Sequence, residues 1–171
     1  KDNLIQEFNR AQSLGKNASW SRNLITGEIN FSKNYYQIWG IPNQPPTFDL
    51  FINGVHPEDA PRIKKAIEKA LNNQKTYSEI FRVIGGDKVT RIVEAKGEVK
   101  FNAKKDPVYV FGTVRDITDI YNTQKENEKL AALVENSFDF IAIGGIDGKI
   151  EYVNKSGRKM LGIAPNQDIT D

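Results

Sequence analysis

The segment Thr90–Phe101 constrains this chain more than any other. Val93, Ala95, Gly97, Val99 and Phe101 fall on one side, and Glu94, Lys96, Glu98 and Lys100 on the other. Strand side chains alternate between faces with a period of two, so the segment has one dry face and one wet face. Such a pattern belongs to an antiparallel sheet. After an Asp106-Pro107 turn, residues 108–114 carry Tyr109 and Phe111 where the preceding strand carries charge. A strand apolar on both sides is covered on both, which predicts a central place in the sheet. Residues 77–84, closed by Gly85-Gly86-Asp87, supply a third strand.

Upstream, residues 18–24 and 28–31 read as two strands about Thr26-Gly27. Ser32 suits the N-cap of a helix over residues 33–39, stopped by Gly40. Pro42, Pro45 and Pro46 mark a loop, and residues 48–52 predict a short helical turn. Asp59 suits the cap of the next helix, with Pro61 in its first turn, where a missing N–H costs nothing. Ile63, Ala66, Ile67, Ala70 and Leu71 give that helix one apolar stripe. Two strands, a group of helices and three strands make an α+β fold, with helices on one face of the sheet. Residues 2–13 predict a further amphipathic helix bearing Leu4, Ile5, Phe8 and Ala11. Residues 122–129 predict a polar connector helix. Ile117, Tyr121, Gln124, Glu128 and Ala131 keep heptad-like spacing around it, but the polar middle of that seam is too weak for a coiled coil alone.

The end of the chain restates its beginning. Gly27-Glu28-Ile29-Asn30-Phe31-Ser32 is matched by Gly148-Lys149-Ile150-Glu151-Tyr152-Val153-Asn154, with one residue more. Trp39-Gly40-Ile41 is matched by Leu161-Gly162-Ile163. Two copies suggest tandem domains, the second stopping before its long helix and three closing strands. The chain begins at Lys1 and stops within this pattern, so it reads as a piece of a longer protein.

The 171 residues include no cysteine, which removes disulfides, thiolate metal sites, cysteine nucleophiles and cysteinyl-flavin photochemistry. The net charge is +2, and Lys64-Lys65 and Lys104-Lys105 are isolated pairs rather than the basic stripe a nucleic-acid partner needs. The longest nearly apolar run, residues 140–146, is far below the roughly 20 residues of a membrane helix. His56 is the sole histidine. With Pro57, Glu58 and Asp59 it reads as a helix-start motif whose acids complement the helix dipole. One histidine beside two acids is a poor metal or acid–base site. Gly85-Gly86 and Gly144-Gly145 lack phosphate-loop spacing, and no Ser–His–Asp set assembles.

Trp20-Ser21-Arg22-Asn23-Leu24, Thr26-Gly27-Glu28-Ile29, Trp39-Gly40, Val55-His56-Pro57-Glu58-Asp59, Tyr77-Ser78-Glu79-Ile80-Phe81-Arg82 and Gly112-Thr113-Val114-Arg115-Asp116-Ile117-Thr118 stand in this order. Together they resemble PAS domains of the sensor-kinase type over about residues 12 to 118. The resemblance resumes at Leu133-Val134-Glu135-Asn136-Ser137 and Tyr152-Val153-Asn154. Two departures stand out: Ile92 replaces a Trp common in such relatives, and Lys105-Asp106 replaces a glycine-bearing hairpin. The resemblance implies a five-stranded antiparallel sheet in the order 2-1-5-4-3. It implies an N-terminal helix over 1–14, a complete PAS domain over 15–118, a connector over 119–131 and the start of a second PAS domain over 132–171.

The resemblance also implies a non-catalytic cytoplasmic sensor and dimerisation unit of a bacterial signalling protein, a histidine kinase above all. Asp116, Ile117 and Thr118 are then the relay from sheet to connector. Tyr36, Trp39, Ile67, Phe81 and Val93 are candidates for the wall of a small-molecule pocket, or plain core. No cofactor is expected, neither haem on His56 nor flavin. The expected partners are a second copy of the chain and a downstream catalytic domain, with neither nucleic acid nor membrane insertion. Leu4, Ile5, Phe8, Tyr109 and Phe111 are the expected dimer surface. The rival readings are a ligand-free scaffold, favoured by a packed interior, and a small α+β enzyme or carrier, which needs a polar titratable cavity.

Overall fold

Register turns the alternating pattern into a sheet. The computed structural model describes residues 16–72, 76–164 and 167. Its strands are β1 (Asn17–Asn23), β2 (Ile29–Phe31), β3 (Thr76–Ile84), β4 (Thr90–Phe101) and β5 (Pro107–Asp116). They pair antiparallel throughout, in the order β2-β1-β5-β4-β3. The doubly apolar strand β5 is therefore central, as its sequence requires. On β4, Val93, Ala95 and Val99 are buried while Lys96, Glu98 and Lys100 are exposed.

Helices α1 (Lys33–Ile38), α2 (Phe48–Gly54) and α3 (Ala60–Leu71) follow β2. Ile63 and Ala70 of the α3 stripe are buried, and Ala66, Ile67 and Leu71 pack partly against the same core. That core joins Trp39 and Tyr35 of α1 and its cap to Phe81, Val83, Val93 and Val114 of the sheet. Each fully buried valine or phenylalanine contributes about 1.5–3 kcal/mol by leaving water.

Two predicted caps are corrected. Ser32 sits at the N-cap of α1 but makes no cap hydrogen bond; its hydroxyl accepts from Ser19 N–H at 3.0 Å and ties α1 to β1. Asp59 occupies the N-cap position of α3 in an already helical conformation, and its carboxylate is drawn away to Arg82. Thr47 is a working cap that the sequence reading passed over, accepting from Leu50 N–H at 3.0 Å and opening a longer α2 than residues 48–52.

The chain divides into two units, one ending at Thr118 and the other beginning at Asp119. Helix α4 (Thr118–Glu135) starts at this division. The second unit adds a hairpin of β6 (Ala142–Gly144) and β7 (Ile150–Val153), then α5 (Lys155–Leu161). Its elements repeat the order of β1, β2 and α1. Gly148 and Gly162 adopt the left-handed conformation, as do Gly27 and Gly40 at the matching points of the first copy. Asn154 caps α5 by accepting from Gly157 N–H at 2.9 Å. Fully buried, it also accepts from Ile141 N–H and donates to the carbonyls of Val134 and Asp139. Phe138, Ile143, Ile146 and Met160 of this unit are exposed. Among the described residues, no helix is long and apolar enough to cross a membrane.

Candidate functional site: an internal cavity and a strand–helix junction

One row of cross-strand partners shapes the interior of the first unit. It runs Phe31, Trp20, Gly112, Gly97, Tyr77 across all five strands. The two central positions have no side chain. A Cβ at Gly112 would lie 2.0 Å from the Lys96 carbonyl oxygen, so only glycine fits there. A Cβ at Gly97 would come within 3.0 Å of the Trp20 ring, which lies over it. Aromatic residues at the flanks and glycines in the middle leave a hollow between sheet and helices.

That hollow is a cavity of about 90 Å³. It is well below the roughly 300 Å³ at which drug-sized pockets begin. The row beside the glycines contributes Ile29, Arg22, Val110 and Val99, and the helices contribute Tyr35, Trp39, Phe48, Phe51 and Ile67. Trp39 and Ile67 thus lie where the sequence reading expects pocket residues. The other three candidates do not line it. Phe81 and Val93 pair with each other two inner-face rows from the glycines and are closed into the core. Tyr36 turns its hydroxyl to the Gln44 carbonyl, donating at 2.8 Å.

Tyr35 is sandwiched between Phe31 and Trp39, with ring centroids at 3.7 and 4.2 Å. Burial pushes its hydroxyl well above the ordinary tyrosine range, with a smaller push from Tyr36. Burial does the same to Tyr77, with Glu79 adding to it. Both therefore stay neutral hydroxyls near neutral pH. Among the described residues, neither hydroxyl has a hydrogen-bond partner, nor has the buried Nε of Arg22. The Arg22 guanidinium lies over the Phe48 ring at 5.1 Å, joining β1 to α2.

The junction at the end of β5 is built differently. Asp116 accepts from Thr118 N–H at 2.9 Å and also from the Thr118 hydroxyl. The Thr118 hydroxyl in turn accepts from Ile92 N–H at 2.9 Å, and Ile117 N–H donates to the Ile92 carbonyl. Asp116, Ile117 and Thr118 thus tie the start of α4 to β4 as well as to β5. The Asp116 carboxylate also lies 4.0 Å from Arg91, whose guanidinium pairs with Asp87 at 2.6 Å. Asp87 belongs to the β3–β4 turn, where Gly86 N–H donates to the carbonyl of Trp39 at 2.9 Å. Polar contacts therefore link a cavity-wall residue through the β3–β4 turn to Arg91, which stops 4.0 Å short of the junction.

The helix-start motif is a structural latch. Asp59 accepts from Arg82 N–H, Nε and Nη2 at 2.8, 3.0 and 2.8 Å, and Glu58 accepts from Nη2 at 2.8 Å. Glu58 N–H donates to His56 Nδ1 at 3.3 Å, closing the turn after Pro57. Among the described residues, no group of three His, Asp or Glu side chains is placed to hold a metal ion. Arg82, a strand residue in the sequence analysis, is the partner that the acidic helix start pairs with.

Tyr109 and Phe111 stand side by side on the outer face, ring centroids 6.1 Å apart, with the Lys100 ammonium 5.1 Å over Phe111. Both are half-buried. Leu4, Ile5 and Phe8, the predicted cover for this face, lie outside the described residues.

A 2-1-5-4-3 antiparallel sheet with helices on one face and a small internal cavity defines a sensory class of α+β domain. The chain belongs to the PAS family: the family described as the PAS fold matches residues 28–114. A sensory box histidine kinase/response regulator from Burkholderia thailandensis E264 superposes with a TM-score of 0.60 at 24% identity, over 74% of this chain and 98% of that one. The N-terminal domain of a diguanylate cyclase with PAS/PAC sensor from Marinobacter aquaeolei gives a TM-score of 0.55 at 14% identity, over 61% and 98%. In sequence, the Escherichia coli K12 protein "Probable diguanylate cyclase DgcE" is 21% identical over 164 residues, 93% of this chain. The chain spans 15% of the length of that relative.

Proposed function

We propose that the chain is the sensing and coupling part of a larger signalling protein, with catalytic output supplied by a domain outside these residues. The output is a histidine kinase or a diguanylate cyclase, the two activities named among the similar proteins. Residues from Asp119 onward then connect this sensor to a second PAS domain, of which β6, β7 and α5 are the opening elements.

The observation that carries this reading is the junction. Thr118 is at once the first residue of α4 and the acceptor for a β4 amide, so a shift between β4 and β5 changes the hydrogen bonds that start the helix. A relay needs an element biased by both ends, and this one is bonded to both. The test is output activity in the full-length signalling protein. Asp116→Ala is expected to leave the fold intact and make output insensitive to stimulus; a stimulus response equal to wild type would overturn the assignment.

The module pairs with a second copy of itself through the outer sheet face. Tyr109 and Phe111 support this, because two aromatic rings on the central strand are only half-covered. A ligand-free dimerisation scaffold is the second reading, and the modest size of the cavity favours it.

A further inference from the structure

Strand β3 is an edge of the five-stranded sheet, and only part of that edge is covered. Its odd-numbered residues bond to β4, a pattern that ends with Gly85 N–H donating to the Val89 carbonyl. The even-numbered residues therefore direct their amides and carbonyls away from the sheet. Towards its end the edge is closed. Arg82 N–H donates to Asp59 at 2.8 Å, and the Arg82 carbonyl accepts from His56 N–H at 2.9 Å. The Ile80 carbonyl accepts from Arg62 Nη2 at 2.8 Å. Thr76 and Ser78 receive no such cover among the described residues. An unpaired stretch of edge is a template for another extended chain.

The surroundings of the open stretch set the chemistry of what pairs there. A groove of about 430 Å³ lies between α3 and β3, lined by Arg62, Lys65, Lys69, Thr76, Ser78 and Glu79 among others. Arg62 is paired with Glu79. Lys65 and Lys69 are exposed, and among the described residues neither has a carboxylate partner. An arriving chain that neutralises them must carry acids. Residues four apart on a helix have Cβ atoms about 5–6 Å apart. Alternate residues of a strand recur every ~6.6 Å on one face. Carboxylates on alternate residues of an added strand therefore match Lys65 and Lys69. The residues between them fall on the outer face beside Ile80, which is 49% exposed, and favour apolar side chains.

We infer that the open edge of β3, with Lys65 and Lys69, takes up an extended segment of a protein partner, acidic and apolar in alternation, as an added strand. Backbone bonds to Thr76 and Ser78 give it a register, and the two lysines select its charge. This surface is separate from the cavity, from the outer-face aromatics and from the junction at Asp116.

The test is an NMR titration of the 171-residue chain with a capped peptide alternating glutamate and valine. Saturable shifts are expected at the amides of Thr76, Ser78 and Ile80 and around Lys65 and Lys69, weakening with added salt. The same peptide is N-methylated at its valines or, separately, at its glutamates. A strand bonds through one edge, so one of these two forms should fail to bind. Lys65→Ala with Lys69→Ala should weaken the parent peptide about fivefold or more, the measure of two exposed ion pairs. Ser78→Pro removes an outward donor without touching the ladder to β4 and should abolish binding while keeping the circular dichroism spectrum. The N-methylated peptides use the unaltered chain, so they decide the matter if Ser78→Pro does not fold. No saturable shifts, shifts centred elsewhere, or both N-methylated forms binding like the parent would each overturn the inference. So would a lysine–valine peptide binding equally well, or inorganic phosphate or an oligothymidylate displacing the peptide at equal concentration.

Discussion

Replacing Asp116 by alanine takes away the acceptor of two hydrogen bonds, from the Thr118 amide and the Thr118 hydroxyl. A hydrogen bond to a charged group contributes about 1.5–3 kcal/mol, but an amide in the first turn of a helix can turn to water instead. Loss of an N-cap, the nearest measured analogue, costs about 0.5–2 kcal/mol, and about 1.5 kcal/mol is the expected loss here. Arg91 adds little, because 4.0 Å is a weak contact and Asp87 already satisfies its guanidinium. At about 4 °C per kcal/mol for a domain of this size, the melting temperature should fall by about 6 °C. Hydrogen exchange supplies the local readout: protection should drop at Ile92 and Thr118 and stay at Val83. Asp116→Asn keeps an acceptor oxygen and should lose less than half as much. An unchanged melting temperature for the alanine variant, or an asparagine variant as damaged as alanine, would refute the hydrogen-bond account.

Other perturbations test the remaining parts. Hydrogen bonds from Arg82, with its charge, hold the Asp59 carboxyl at about 2 against an ordinary 3.8, despite the opposing effect of desolvation. A depressed carboxyl stabilises the fold above its unfolded value and loses that contribution as pH falls through the folded one. About 1 kcal/mol, after allowing for solvent screening, should therefore disappear between about pH 4 and pH 2. Urea midpoints across that window should fall less steeply for Asp59→Asn than for wild type. Gly112→Ala drives a Cβ to 2.0 Å from a backbone oxygen in the middle of the sheet and should cost about 3 kcal/mol or more by chemical denaturation. Gly97→Ala meets a side chain at 3.0 Å and should cost clearly less; equal costs would argue against this register. If the proposed self-pairing holds, the wild-type chain should sediment as a dimer and Tyr109→Ser with Phe111→Ser as a monomer of little-changed melting, because the outer face is only half-covered.

The sequence alone determined what depends on short-range periodicity. The alternation of Thr90–Phe101 and the two apolar faces of residues 108–114 were enough to place β4 at the boundary of the core and β5 at the centre of the sheet. Backbone geometry repeats every two residues in a strand, so facing is written locally. Asp116 and Thr118 were legible for the same reason: two residues separate them, and their bond is local. Which distant residues meet was settled by long-range packing. Gly97 was legible as an inner-face residue, but nothing near it shows that Gly112 stands opposite and that the pair opens a cavity. Nor does anything near Asp59 show that Arg82, 23 residues on, draws its carboxylate off the helix. Ser32 and Asp59 stand at the predicted N-cap positions but make no cap bond, because cap preference weighs only neighbouring amides. In the folded chain a strand amide and a guanidinium bind those oxygens instead. Such partners are fixed by strand register and helix packing, properties of the whole sheet that no single segment carries.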